Sequence, residues 1–412
     1  MANTLATPTW VTREVALYFT NSIKFVQNMN RTYDDQYIQS GAKVGNTVNA
    51  RLPQRFTVTD GQALQLQNLY DQTVPITLTN QKNVAFGYSS AEATTELNDI
   101  RQRYVQPGAE ALANAADVLA YQNVYRDIYS AVGSAGTTPT TNLAYLQAGV
   151  KLTDLSAPMT DRVAVLDPLA MVSLSNANLT LFNPAATISE EYKTGQFGRN
   201  ALGVDEWFQD QNRPAFVTGG WTSTSTPIVT PAAQTGSTIA TTGWASGSTS
   251  LKRGDIITIA GVNSVNPLSY TSTGRLQQFV ITADTTDSGG AIAALPISPP
   301  IITSGQLQTV DASPAASAII NLIGTTGATY TYSATTSPQS MLFHPDAFAF
   351  VMADLVQPGA GAKSTTARSK EFGFSIRMVE QYQIATDQNP SRLDILIGAA
   401  TIQARLACRI FG

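Results

Sequence analysis

QPGAEALANAADVLAYQNVYRDIYSAVG, residues 106–133, reads as one long helix. Pro107 suits a first helical position, because it has no N–H to leave unpaired and its φ is already helical. Val118, Tyr121, Tyr125, Ile128 and Val132 recur at steps of three and four, which lines one helical face, and Leu112, Ala115 and Leu119 widen that stripe. Gly133 stops the helix, since glycine accepts the left-handed conformation that caps an end. At 1.5 Å per residue the rod is expected to run about 40 Å, long enough to serve as a strut against which sheets pack.

Outward from this strut, the N-terminal side carries two further patterns. Residues 10–30 place Val11, Val15, Phe19, Ile23 and Val26 on one face of an amphipathic helix, with Thr9 or Thr12 as its cap. From residue 43 to residue 88 the period changes to two: Val44, Val48 and Leu52 lead to Phe56 and Val58, and Val74, Ile76 and Leu78 follow. Residues 59–70 between them are largely polar and rich in Gln, with Gly61 as a turn. Two strands closing on a long polar tip describe an extended hairpin. A lone hairpin is marginal in water, so this arm needs another surface to hold it. Residues 96–104 predict a short charged helix.

On the C-terminal side, Val163, Val165 and Leu166 read as a buried strand, and Asp167-Pro168 starts a helix. Residues 182–203 form a charge-bearing connector whose Gly195, Gly198 and Gly203 are hinge candidates. Residues 214–250 then contain no charged residue at all. Residues 251–262, 276–283 and 291–302 carry short β-type runs between turn signals, which predicts a small β-barrel or sandwich inserted over residues 222–338. The host resumes with MLFHPDAFAFVMADL, a glycine-bearing loop at 359–370, and strands near 374–378, 393–397 and 404–410.

Composition narrows the function. Charged residues make up 13% of the 412, about half the usual level, so neutral polar groups cover the surface. Such groups cost less to desolvate than charges, which suits protein–protein contact. A net charge of −4 lacks the basic footprint of a general nucleic-acid binder. The N-terminus shows no signal-peptide pattern and no apolar run reaches membrane-spanning length, so the expectation is a soluble chain made in a cytoplasm.

Chemistry is sparse. The one histidine, His344, precedes a proline in an apolar setting without a serine elbow. One cysteine, Cys408, permits no intrachain disulfide, and no His/Cys set exists for a transition metal. Asp34-Asp35, Glu190-Glu191 and Asp284 with Asp287 lack calcium-loop spacing. Residues 359–364 miss the glycine a phosphate loop needs before its lysine, because Ala362 stands there. Arg253-Gly254-Asp255 spells an adhesion triplet, but Gly254 is also an obvious turn residue entering the strand that follows. No catalytic, cofactor-binding or metal residue is expected.

Local stretches carry a family resemblance: Trp10-Val11-Thr12-Arg13-Glu14 and Asn30-Arg31-Thr32-Tyr33-Asp34-Asp35 at the start, and Gly41-Ala42-Lys43-Val44-Gly45 with Arg51-Leu52-Pro53 entering the hairpin. Phe182-Asn183-Pro184, Ile188-Ser189-Glu190-Glu191-Tyr192 and Gly203-Val204-Asp205-Glu206-Trp207 follow at the connector. Leu251-Lys252-Arg253-Gly254-Asp255 and Phe343-His344-Pro345-Asp346 lie in and after the insertion. In order and spacing the chain resembles the major capsid proteins of tailed double-stranded DNA phages, in the subgroup typified by a short-tailed Salmonella phage.

The resemblance implies an α+β, HK97-like fold. Its parts are an N-terminal arm (1–40), an extended loop and its base (41–90), a peripheral domain with spine helix (91–135), an axial domain and hinge (136–221), the inserted β-domain (222–338) and a return segment (339–412). It further implies a non-enzymatic subunit that self-assembles as pentamers and hexamers into an icosahedral virion capsid. Scaffolding and portal proteins are the implied partners, a decoration protein is a further one, and double-stranded DNA is enclosed without sequence-specific binding. Residues placed to meet a neighbour are Arg13, Arg51, Arg55, Gln65, Gln67, Arg101, Arg103, Glu190, Glu191, Lys252, Arg253 and Asp255. The rival readings are a tail tube, an adhesin, or a hydrolase with a carbohydrate-binding insert.

Overall fold

The computed structural model describes residues 23–33, 45, 47–59, 61, 62, 64–89, 106–178, 201–222, 226–323, 331, 332, 334–359, 363–368 and 375–412. The expected helices at 10–22 and 96–104 and most of the 182–203 connector lie outside them. The chain is mixed α+β and divides into two compact units. One comprises Met1–Ala50, Thr73–Asn123 and Phe348–Ala400; the other comprises Arg51–Gln72, Val124–Ala347 and Thr401–Gly412.

In the first unit the strut is helix α1, Gln106–Val124, about 28 Å long at the standard rise. It is shorter than its periodicity predicts. Tyr125–Asp127 tighten into a 3-10 turn, and Ala131–Val132 become a strand pairing in parallel with Ala407–Phe411. Gly133 does adopt positive φ (+93°), yet its role is different. A Cβ there would stand 2.8 Å from the Phe411 carbonyl oxygen, so glycine is required by the close approach of the terminal strand.

The buried face of α1 is also rotated from the expected stripe. Ala109, Ala113, Ala116 and Ala120 are buried beside Leu112, Tyr121 and Val124, whereas Val118 and Leu119 are half-buried. Alanines admit a neighbouring backbone closely, and they carry little weight in a search for large apolar residues. Asp117 sits in this face, fully buried, where it accepts the Val26 N–H at 3.0 Å. That bond seats the 3-10 turn Val26–Asn28, and the Phe25 ring lies 4.1 Å from that of Tyr121. Residues 23–30 then pair with Phe348–Met352 through Asn30, whose N–H reaches the Phe348 carbonyl at 3.0 Å.

The sheet of this unit runs Phe348–Met352, Gln388–Thr401, Ser375–Glu380 and Lys363–Arg368, with Asn80–Ser89 also paired to Gln388–Thr401. The residues expected as a loop near 363–368 are therefore an edge strand. They hold six-pair register with Ser375–Glu380, because alternating Thr and small residues satisfy a ladder as readily as a loop. Beneath it, buried Asp394 accepts from Arg377 Nη2 at 2.6 Å and Arg392 Nε at 2.5 Å.

Among the described residues the second unit has two six-stranded sheets, beside two short two-stranded ones. The first orders Ala131–Val132, Ala407–Phe411, Thr336–Phe343, Val163–Leu166 and Glu206–Gln209, with Ala215–Val217 also on Thr336–Phe343. Every residue of Val163–Leu166 is buried, as an apolar run in a sheet with helices against it should be. Helix α2, Asn142–Asp154, packs on Ala407–Phe411, and helix α3, Pro168–Asn178, follows Val163–Leu166 directly.

The second sheet is the inserted one. Its order is Ile320–Leu322, Ile256–Val265, Ser272–Ile281, Ala291–Ile301, Gly236–Thr242 and Ile228–Val229. The Val229 N–H donates to the Ala318 carbonyl at 3.0 Å, and the Ile320 N–H to that of Pro227 at 2.9 Å, so the edges meet and the sheet is nearly closed. Closure removes the unpaired edges that a free sheet would offer to other chains. Inside it Ile239, Trp244, Ile257, Ile259, Phe279, Ile281, Leu295 and Ile297 are buried. Each such side chain contributes ~1.5–3 kcal/mol by leaving water. This is why a segment so rich in Thr, Ser and Gly is folded.

Candidate assembly interface

His344 is buried, with Nδ1 accepting the Asp346 N–H at 3.3 Å, and no group of acidic, His or Cys side chains among the described residues is placed to hold a metal ion. Burial pushes the Cys408 thiol up to about 12, so it is inert. None of the described helices is long and apolar enough to cross a membrane.

The arm is the most exposed apolar feature. Its base strands, Thr47–Arg51 and Thr73–Thr77, pair as expected. The described residues of 52–72 carry no regular strand and are braced by one backbone bond and by side chains. The Leu52 N–H reaches the Gln72 carbonyl at 2.9 Å, and the Tyr70 N–H reaches Gln54 Oε1 at 3.2 Å. The Gln67 amide bonds both backbone groups of Thr57, with the Thr57 N–H at 2.9 Å from Gln67 Oε1.

With glutamine amides doing the bracing, the apolar side chains are left outside. Val58, Leu64 and Leu66 are 93%, 86% and 88% exposed, and Phe56, Leu69 and Tyr70 are exposed too. The tip is thus less polar in effect than its glutamines suggest. A concentrated set like this marks a surface that another molecule covers.

Of the arm's expected contact residues, Arg51 and Gln65 are exposed, Arg55 is half-buried and Gln67 serves the brace. Arg55 lines a cleft of about 550 Å³ together with Tyr129, Leu268, Pro300 and Arg405. Burial holds the Arg405 guanidinium below its ordinary pKa, and the like charge of Arg55 adds to the effect.

The three candidates from the insertion turn inward to differing degrees. Arg253 Nη2 meets Asp127 at 2.7 Å and Lys252 Nζ meets Asp284 at 3.2 Å, both half-exposed pairs within this chain. Asp255 is buried, which sets it inside the subunit rather than on a face a neighbour touches. Its carboxylate accepts the Lys252 N–H at 2.7 Å and the Gly219 N–H at 3.1 Å, pinning the strand that enters the insertion. A side chain at Gly219 would clash there, because its Cβ would lie 2.3 Å from the Ser250 carbonyl oxygen. Burial pushes Asp255 up to about 6 in spite of these bonds and of nearby Arg409.

Arg409 is the group that sequence reading misses. Although charged, it is wholly buried on the terminal strand, donating from Nε to Gln339 Oε1 at 2.9 Å and from Nη1 to the Gly254 carbonyl at 2.7 Å. Its guanidinium carbon lies 5.5, 5.0 and 4.8 Å from the ring centres of Tyr125, Phe216 and Phe411. The insertion is thus clamped to its host from the turn of the Arg-Gly-Asp triplet. Gln278 adds a second clamp, accepting the Ala131 N–H at 2.8 Å and donating to its carbonyl at 3.0 Å. Only an arginine flanked by apolar residues in ARLACRIF hinted at this.

Arg13, Arg101, Arg103, Glu190, Glu191, Gly195 and Gly198 lie outside the described residues. Gly203 follows Leu202, both at positive φ, in a tight turn closed by the Val204 N–H on the Ala201 carbonyl at 3.1 Å. One family model, described as P22 coat protein, gene protein 5, matches residues 1–412 of the chain.

The chain belongs to the P22 coat protein family.

As a member of that family it is a major capsid protein, a structural subunit that associates with copies of itself to form the virion shell. Among solved structures it is similar to one from Mycobacterium phage Che8, with 14% identity, 94% of this chain and 90% of that chain covered, and a TM-score of 0.46. It is also similar to the mature capsid of bacteriophage PhiM1, with 10% identity, 94% and 86% covered, and a TM-score of 0.42. A virus-like particle from Pyrococcus furiosus aligns at 8% identity, with 97% of each chain covered and a TM-score of 0.41. No curated protein matches the chain.

Proposed function

We propose that this coat protein builds an icosahedral, HK97-like shell of pentamers and hexamers around a tailed phage's double-stranded DNA, and that the arm at 51–72 is its principal grip on the adjacent copy. The observation that carries the reading is the exposure of Phe56, Val58, Leu64, Leu66, Leu69 and Tyr70 on one internally braced segment. Repeated around a closed symmetric shell, such modest contacts accumulate into a stable particle. Arg51, Arg55 and Gln65 flank the apolar set and serve as its polar rim. Lys252 and Arg253 face outward enough to be shared with a neighbour, and Arg13, Arg101, Arg103, Glu190 and Glu191 complete the contact set. The inserted β-domain, taken as 222–338, strengthens the subunit through Arg409 and Gln278.

The shell is filled without sequence-specific contact to DNA, and the subunit has no enzymatic activity. It is made in the bacterial cytoplasm, and scaffolding, portal and decoration proteins join it there on the strength of the family resemblance. The connector glycines Gly195, Gly198 and Gly203 are its hinge for shell expansion.

The test separates grip from folding. Leu64→Ser, Leu66→Ser and Leu69→Ser together should leave the unfolding free energy of the free subunit within about 0.5 kcal/mol, since exposed positions contribute little. Sedimentation and electron microscopy should then show particles from the parent and a loss of tenfold or more from the triple variant. Normal shells from the triple variant would overturn the arm's role, and absence of shells from the parent would overturn the shell itself.

A further inference from the structure

Three donors converge on the cleft of about 550 Å³: Arg55, Tyr129 and Arg405, all within the second compact unit. Arg55 comes from the entering limb of the arm. Tyr129 lies between the 3-10 turn Tyr125–Asp127 and the strand Ala131–Val132, and Arg405 stands on the 3-10 turn Ala404–Leu406. Among the described residues Arg55 makes no hydrogen bond and no ion pair. Tyr129 is 8% exposed, and its hydroxyl has no partner among them either. Burial pushes that hydroxyl up to about 12, so it stays protonated and able to donate. Arg405 commits Nε and one N–H of Nη2 to Gln403 Oε1, at 3.2 and 3.0 Å, and one N–H of Nη1 to the Leu155 carbonyl at 3.1 Å. Each of its terminal nitrogens therefore keeps one N–H.

No carboxylate lines the cleft. Elsewhere the chain pairs its arginines, Arg253 with Asp127, Arg275 with Asp154 and Arg377 with Asp394. Here two stand together, and burial and the charge of Arg55 hold Arg405 below its ordinary pKa. An anion seated between them relieves that repulsion. The remaining lining narrows the anion. Leu155, Leu268, Pro299, Pro300 and Ile302 make an apolar wall, which a bare phosphate would leave uncovered. Gln54, Gln72 and Gln308 add amides, of which Gln54 Nε2, the whole Gln72 amide and Gln308 Oε1 have no partner among the described residues. An alkyl carboxylate has nothing to offer them, whereas a peptide brings an N–H and a C=O at every residue.

We propose that this cleft binds an acidic peptide segment of a partner protein other than this chain, one in which a Glu or Asp stands between apolar residues. The carboxylate accepts from Arg55, Arg405 and Tyr129, and the flanking apolar side chains cover the proline wall. Charge-assisted bonds to a guanidinium are the strong ones, and its planar fork matches a carboxylate. A second copy is a poorer match, since Asp and Glu make up only 29 of its 412 residues and several of these already hold arginines of their own. The inference goes beyond the shell reading and does not depend on it.

Fluorescence anisotropy on the free, full-length subunit tests it, with a dye-labelled, end-capped peptide Ala-Leu-Glu-Leu-Ala as the probe. Binding should saturate, and the same peptide with Gln in place of Glu should bind about tenfold more weakly, the size of one charge-assisted hydrogen bond. Arg55→Gln and Arg405→Gln should each weaken the glutamate peptide by about tenfold and leave the glutamine peptide little changed. Tyr129→Phe, which removes only the hydroxyl, should weaken it about threefold. Arg405 also holds Gln403 and Leu155, so where Arg405→Gln does not fold, the half-buried Arg55 and the ring-preserving Tyr129→Phe give the answer.

No saturable binding of the glutamate peptide, or equal binding of its glutamine form, would overturn the site. Displacement of the probe by inorganic phosphate as readily as by unlabelled peptide would reduce it to a general anion site and overturn the proposal. Displacement by octanoate to the same degree would overturn the peptide in favour of a free organic acid. Dimerisation of the free subunit that the peptide reverses would give the cleft to a second copy and overturn the foreign partner. Particle formation enters none of these readings, so the shell stands or falls separately.

Discussion

Removing the Arg409 side chain is the sharpest test of how the insertion is held. Arg409→Ala deletes two charge-assisted hydrogen bonds, to Gln339 and to the Gly254 carbonyl, each worth ~1.5–3 kcal/mol. It also takes a desolvated cation from among three aromatic rings, an interaction of ~2 kcal/mol where water is excluded. The sum is offset by the desolvation of the arginine itself, which is regained when the charge is gone. Leaving two buried neutral acceptors without a donor costs ~1–3 kcal/mol each, so the expected net loss is about 2–6 kcal/mol. Arg409→Lys keeps the charge but not the planar fork, so it can satisfy one acceptor and stack on none; about 2 kcal/mol is expected.

Urea unfolding of the free subunit measures both, with buried Trp207 reporting on the host sheet and buried Trp244 on the insertion. In Arg409→Ala the two reporters should separate, because the clamp joins the parts they sit in. A loss under about 1 kcal/mol with coincident transitions would refute the clamp, since surface substitutions away from such features change stability by about 0.5 kcal/mol at most.

Two further outcomes follow from the same unit. Asp255 has its folded pKa raised from 3.8 to about 6, so the folded subunit binds its proton more tightly than the unfolded chain. Its contribution opposes folding above pH 6 and is relieved as pH falls from 6 toward 3.8; at 1.36 kcal/mol per pH unit the relief is on the order of 3 kcal/mol. A carboxyl NMR titration of Asp255 should show its midpoint near 6, and a midpoint near 4 would remove this account of the junction.

The glycines make a matched pair. Gly133→Ala, at positive φ and against the Phe411 carbonyl, should destabilise by ~1–3 kcal/mol, whereas Gly149→Ala, in open space on α2, should stabilise by ~0.5–1 kcal/mol. Thermal melts of the two variants should move in opposite directions.

What could be read from residue order alone was what depends on composition and period. The low charge, a helix beginning at Gln106 (though not its end), the β-runs of the insertion and the paired base of the arm all follow from residue types and their spacing. The family resemblance drew on the same local stretches. Burial could not be read this way, because it is set by what arrives from far along the chain.

Asp117 is an ordinary helix acid until Val26, 91 residues away, presents its N–H. Arg409 is a surface charge until a carbonyl 155 residues away, at Gly254, and three rings enclose it. The end of α1 is decided by the strand Ala407–Phe411 drawing Ala131–Val132 into a ladder. On the arm, two glutamine amides turn inward to brace the backbone, and the leucines between them are left outside. Local pattern thus determined which elements this protein builds; long-range packing decided which polar groups leave water and which apolar ones remain in it, since the desolvation of a group depends on every atom around it and only a few of those are its neighbours in sequence.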